Sequence, residues 1–107
     1  MKSDDYNPVM AYHYIGGSLV RDYPLSYEKA WDTVNTALIS RELSLSHSVK
    51  EKSRGAIEAG SPDGTKLSII LMSKNKDRTS IAIKSGYLSR CRDAEMLHRA
   101  IENASGI

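Results

Sequence analysis

The stretch Leu25–Ser40, LSYEKAWDTVNTALIS, decides how the rest of the chain is read. Its apolar residues Tyr27, Ala30, Trp31, Val34, Ala37 and Leu38 recur at i, i+3, i+4, i+7, i+10 and i+11, which is one face of a helix. Glu28, Asp32, Asn35 and Ser40 lie on the other face. Ser26 is placed to cap the first turn by accepting from an orphan backbone N–H. Leu25 stands where a hydrophobic staple residue would. A helix with a single apolar stripe must bury it against another element. Trp31 is expected to be the largest residue in that contact.

Downstream the period changes from 3.6 to two. Leu43, Leu45, His47 and Val49 alternate with Ser44, Ser46, Ser48 and Lys50, the pattern of a half-buried strand. Lys52-Ser53-Arg54 reads as a turn and Gly55–Ala59, centred on Ile57, as a short strand. Ser61-Pro62-Asp63-Gly64-Thr65 combines a φ-restricting proline with a glycine that supplies positive φ, so a hairpin joins Ile57 to Leu67. Lys66–Ser73 is the next strand, Lys74–Asp77 a turn, and Thr79–Lys84 the last strand. Asp93 is read as the N-cap of a final helix whose apolar face is Ala94, Leu97, Ala100, Ile101 and Ala104, with Gly106 as its stop. Upstream, Tyr12, Tyr14 and Ile15 are β-like, Gly16-Gly17 interrupts them, and Leu19-Val20 resumes. That reads as one strand over 11–22, bent at the glycine pair.

The order is therefore β-α-β-β-β-β-α. A meander of short strands and two amphipathic helices satisfy one another when both helices pack on one face of an antiparallel sheet, an α+β fold. The chain has 107 residues, which suits one domain, expected at 10–107 behind a flexible leader at 1–9. Composition is 40% hydrophobic and 26% charged, ordinary for a globular chain. Fifteen basic against thirteen acidic residues leave a net charge of +2, which argues against a polyanion partner. The lone Cys91 excludes an intrachain disulfide framework and a multi-cysteine zinc site. No apolar run approaches a membrane span. The first residues lack an apolar signal segment. The expected location is thus the periplasm or cell envelope if a signal was removed, and the cytoplasm otherwise.

Gly17-x-Leu19, Ala30-Trp31, Gly55-Ala56-Ile57-Glu58-Ala59, the Asp63-Gly64 turn and Asp93-Ala94-Glu95 together form a pattern. Over about residues 14–104 it resembles an uncharacterised family of small bacterial cell-envelope domains, many of them lipoproteins. It is similar, less closely, to the helix-grip repeats of outer-membrane assembly lipoproteins. The resemblance implies a fold and an envelope setting, and no activity. Two features depart from it. No lipobox cysteine stands near the N-terminus, and Tyr87–Arg92 is more basic than the family's approach to its last helix.

His13, His47 and His98 show no metal-ligand spacing, so no metal or other cofactor is expected. His47 reads as an imidazole at the edge of the core. Cys91 and His98 lack a third orienting group for a nucleophilic pair. No serine sits in Gly-x-Ser-x-Gly, and the glycine pair is no phosphate loop. The chain is accordingly read as no enzyme. Two surfaces remain. If the helices cover one sheet face, Ile70, Met72 and Ala82 point from the other, where they would contact a protein partner or a second copy, or, on the bland reading, form a second minor core under the N-terminal leader. Alternatively, Lys50 and Lys52 in one turn and Lys74, Lys76 and Arg78 in another form a basic rim at one sheet end. With Tyr12, Tyr14 or Tyr87 beside it, that rim would stack single-stranded nucleic acid. The bland reading of the rim is solvated turns that discourage edge pairing. The functional expectation is a protein-interaction module of the cell envelope, with a small nucleic-acid binder as the alternative.

Overall fold

Gly16 and Gly17 take positive φ values of +58° and +84°. Two successive positive φ angles are the mark of a type I′ turn, whose twist matches that of a hairpin. The expected bent strand is therefore two strands, β1 (His13–Ile15) and β2 (Ser18–Tyr23), paired from Ile15↔Ser18 outward. The computed structural model describes residues 12–86 and 91–106; the expected leader at 1–9 and the basic approach at 87–90 lie outside them.

After β2 come α1 (Tyr27–Ser40), β3 (Ser44–Lys50), β4 (Arg54–Gly60), β5 (Lys66–Asn75), β6 (Arg78–Ser85) and α2 (Cys91–Ser105). The six strands form one antiparallel sheet in the order β1-β2-β6-β5-β4-β3. Both helices pack on one face, giving the expected α+β architecture. Alternation decides what they bury. Leu19, Arg21 and Tyr23 of β2, Ile57 and Ala59 of β4, Leu67, Ile69 and Leu71 of β5, and Thr79, Ile81 and Ile83 of β6 are all buried. Ala30, Val34, Ala37 and Leu38 of α1 and Ala94, Leu97 and Ile101 of α2 close over them.

The ends of α1 follow from local chemistry. Ser26 Oγ accepts from Lys29 N at 3.2 Å, and the Thr79 hydroxyl donates to Leu25 O at 2.9 Å, fixing the entry of the helix. At the exit Leu43 N reaches Leu38 O and Glu42 N reaches Ile39 O, a Schellman motif. Its left-handed position is held by Glu42 at φ +57° rather than by glycine. At the other helix, Cys91 lies inside α2 and Asp93 is in its first turn rather than capping it. There its charge still favours the helix N-terminus.

Trp31 differs from expectation. It is half-buried and packs against the core from the side. Its indole lies on Gly55: a Cβ built there would stand 2.4 Å from Trp31 Cζ3 and 2.8 Å from Tyr27 Oη. The Ala30-Trp31 and Gly55-x-Ile57 motifs are thus two halves of one contact. Lys50, the cross-strand neighbour of Gly55, closes it. Its Nζ lies 5.7 Å from the Trp31 ring and 6.0 Å from that of Tyr27, and it pairs with Glu28.

Candidate interaction face

Side chains of opposite parity to the core point away from the helices, and register places them in rows. One row crosses the whole sheet: His13, Val20, Ala82, Ile70, Ala56 and Val49 are successive cross-strand neighbours. Between β2 and β3 it is entirely apolar. A second row, towards the β5–β6 turn, reads Asp22, Ser80, Met72, Arg54. A third, on the other side, runs Lys84, Ser68, Glu58, His47. Ile70 and Ala82 are therefore direct neighbours and Met72 lies beside them, with 39% of its surface exposed. A hollow of about 180 Å³ opens between Val49, Arg54, Ala56 and Ile70.

Edge strand β3 carries a correction. Its register shifts between Leu45 and His47, a bulge at Ser46, whose hydroxyl donates to Glu58 O at 3.1 Å. The extra residue inverts the alternation. Leu45 pairs with Ala59 on the helix side, whereas His47 and Val49 pair with Glu58 and Ala56 on the open side. His47 is consequently an exposed residue of the open face and not a core-edge imidazole.

The two basic turns do sit side by side, with Ser73 N donating to Ser53 O at 2.8 Å. Lys52, Lys74 and Lys76 are exposed there and Arg78 is half-buried. Lys50 is committed to Glu28 and to the faces of Tyr27 and Trp31, and the hydrogen bond to Glu28 raises its pKa. The expected aromatic companions are elsewhere. Tyr12 packs against His98 with ring centroids 5.1 Å apart, Tyr14 is on β1 at the far edge of the sheet, and Tyr87 lies outside the described residues.

A buried polar cluster under α2 is not foreseen by motif reasoning. Arg21, 1% exposed, pairs with Glu102 at 3.3 Å and lies 4.3 Å from the Tyr23 ring. His98 is fully buried; its Nε2 lies 2.8 Å from the Leu19 carbonyl, to which it donates, and its Nδ1 lies 2.8 Å from the Tyr23 hydroxyl, from which it accepts. Burial, with Arg21 adding to it, lowers its pKa to about 4, so the ring is neutral. Burial raises that of Tyr23. Both imidazole nitrogens thus fasten α2 onto β2. Cys91 begins the same helix, seven residues before His98 and about 10 Å from it along the axis. The signal that marks Arg21 was present: it alternates between Leu19 and Tyr23 on the core parity.

A cleft of about 390 Å³ lies between the end of α1, the β4–β5 turn and the start of α2, with Arg41, Glu42, Asp63 and Asp93 on its walls. Asp63 serves its own turn, accepting from the Ser61 hydroxyl and from Thr65 N, and these bonds lower its pKa to about 2. Among the described residues no three His, Cys, Asp or Glu side chains converge as for a metal, and no helix is long and apolar enough to cross a membrane.

With this geometry in hand, the chain belongs to the family described as Protein of unknown function (DUF3568), whose pattern matches residues 8–104. Among curated proteins none matches it.

Proposed function

We propose that this chain is a non-enzymatic interaction module of the bacterial cell envelope that binds protein through the open face of its sheet. The observation that carries this reading is the apolar row Val20–Ala82–Ile70–Ala56–Val49, running across five strands between two polar rows. An apolar strip with a polar border, on a sheet face that no described element covers, is what a protein partner dehydrates and a solvated face does not need. The non-enzymatic part is supported by the commitments of His98 and Asp63 to structural hydrogen bonds. The envelope setting is supported by the motif resemblance around Ala30-Trp31 and Gly55-x-Ile57.

The test is a photo-crosslinking amino acid placed at Met72, and as a control at Ile39, which is 76% exposed on the helical side. In the native bacterium, position 72 should yield a discrete protein adduct and position 39 none. Equal or absent labelling at the two positions refutes the reading. Protection of the chain from external protease in intact spheroplasts refutes the envelope setting alone.

A further inference from the structure

Resting on that reading, we infer that the partner on the open face is a second copy of this chain, packed face to face about a two-fold axis that runs parallel to the strands between β5 and β6. A closed two-fold dimer requires a surface complementary to itself, and three independent features of this face meet that requirement under the one operator.

The first is size. Across the sheet the central row alternates large and small: Val20, Ala82, Ile70, Ala56, Val49. The axis exchanges β6 with β5 and β2 with β4. Ile70 then meets the partner's Ala82, and Val20 meets the partner's Ala56, large against small each time, as interdigitating layers require. The second is charge. In the next row Asp22 and Arg54 lie symmetrically about the axis, on β2 and β4. Each is carried onto the other in the partner. Lys84 is carried beside the partner's Glu58. Among the described residues none of these four side chains has an ion-pair partner within its own chain. The third is shape: the hollow of about 180 Å³ beside Ala56 is where the partner's Val20 arrives.

A two-fold axis across the strands would also pair Arg54 with the partner's Glu58. It would, however, set Ile70 on Ile70 and Ala82 on Ala82, stacking bulk in one place and leaving a void in the next. Sheets packed in the aligned manner stand about 10 Å apart, so the side chains of both rows reach across. Six strands about 4.8 Å apart and three rows give about 500 Å² per copy, roughly 1,000 Å² in all. That is the low end for a specific interface, so the dimer should dissociate in the micromolar range.

Sedimentation equilibrium of the full chain up to about 500 µM reads this directly. The expected result is a monomer–dimer equilibrium that Ile70→Lys shifts to monomer. The orientation is read with charge reversals. Asp22→Arg alone and Arg54→Asp alone should each weaken the dimer at least tenfold, whereas an equimolar mixture of the two should restore it as a heterodimer. Circular dichroism of each variant confirms folding, and the mixture itself separates lost contact from lost fold. A chain that stays monomeric, a mixture that does not recover, or a Met72 photo-adduct within one chain overturns the inference. If the chain is monomeric while position 72 labels a different protein, the interaction reading of the face stands and only the identity of the partner falls; if nothing is labelled, both fall.

Discussion

Gly55→Ala tests the contact on which α1 and the sheet meet. The added methyl carbon would lie 2.4 Å from Trp31 Cζ3, 3.0 Å from Trp31 Cε3 and 2.8 Å from Tyr27 Oη. Carbon atoms in contact prefer about 3.5–4.0 Å, so the indole must retreat by about 1 Å. It has little freedom to do so, being rooted on a helix whose neighbour Ala30 is fully buried and held at its face by Lys50. Overpacking of this kind costs about 1–3 kcal/mol. Against it, alanine in a strand recovers roughly 0.5–1 kcal/mol of the conformational entropy that glycine loses. The net expectation is a loss of about 1–2 kcal/mol, read from urea unfolding followed by circular dichroism, with an unchanged denaturant slope. Trp31→Leu removes the larger of the two obstacles. In that background Gly55→Ala should cost at least about 1 kcal/mol less, a coupling expected of residues in direct contact. A Gly55→Ala protein as stable as its parent, or one equally destabilised in both backgrounds, refutes the argument.

Glu42→Gly should stabilise the chain by about 0.5–1 kcal/mol, because the left-handed conformation costs an L-residue more than glycine loses in unfolded-state entropy; the urea midpoint reads it. Thr79→Val, which keeps the shape and removes the donor to Leu25 O, should cost about 1–2 kcal/mol, and Thr79→Ser should recover most of that. For His98 the folded pKa of about 4 lies below the ordinary 6.5, so below pH 6.5 the unfolded chain binds a proton that the folded chain refuses. Its contribution is therefore fully present above pH 6.5 and declines towards pH 4, by about 2–3 kcal/mol between pH 7.5 and 4.5. His98→Gln should flatten that slope, and nitrogen NMR should report a neutral, Nε2-protonated ring from pH 7.5 down to about pH 5.

How much of this was legible depended on whether a residue's role was local. The helix at Tyr27–Ser40 could be read because its stripe, its cap at Ser26 and its staple at Leu25 are all set within sixteen residues. The strands of the meander were legible for the same reason. Expectation and structure part where one residue changes the count. A single extra residue at Ser46 moved His47 and Val49 to the open face, and nothing in the run of alternating serines signals which of them is supernumerary. Gly16-Gly17 fits a bend or a turn equally until the pairing of Ile15 with Ser18 is known. The helical position of Trp31 points to the core, whereas glycine at 55 lets the indole lie flat at the margin. Arg21 is not legible as a core residue because a buried charge needs a partner, and Glu102 is 81 residues away in sequence.

This also explains why the motifs inform the fold so much more than the activity. Of the residues that carry the resemblance, Leu19, Ala30, Trp31, Gly55, Ile57 and Ala59 lie on the covered side of the sheet or on the helix that covers it, and Ala56 alone is shared with the apolar row of the open face. The residues proposed to meet a partner, Val20, Ala56, Ile70, Met72 and Ala82, alternate with core residues on the same strands and face the other way. Apart from Ala56, alternation lets the two sets vary independently. A charge at position 70 or 56 would leave the Trp31–Gly55 contact intact, and a larger residue at 55 would spoil it without altering the open row. The recognisable motif is therefore compatible with open faces of differing side chains, and the face of each such chain has to be read from its own row.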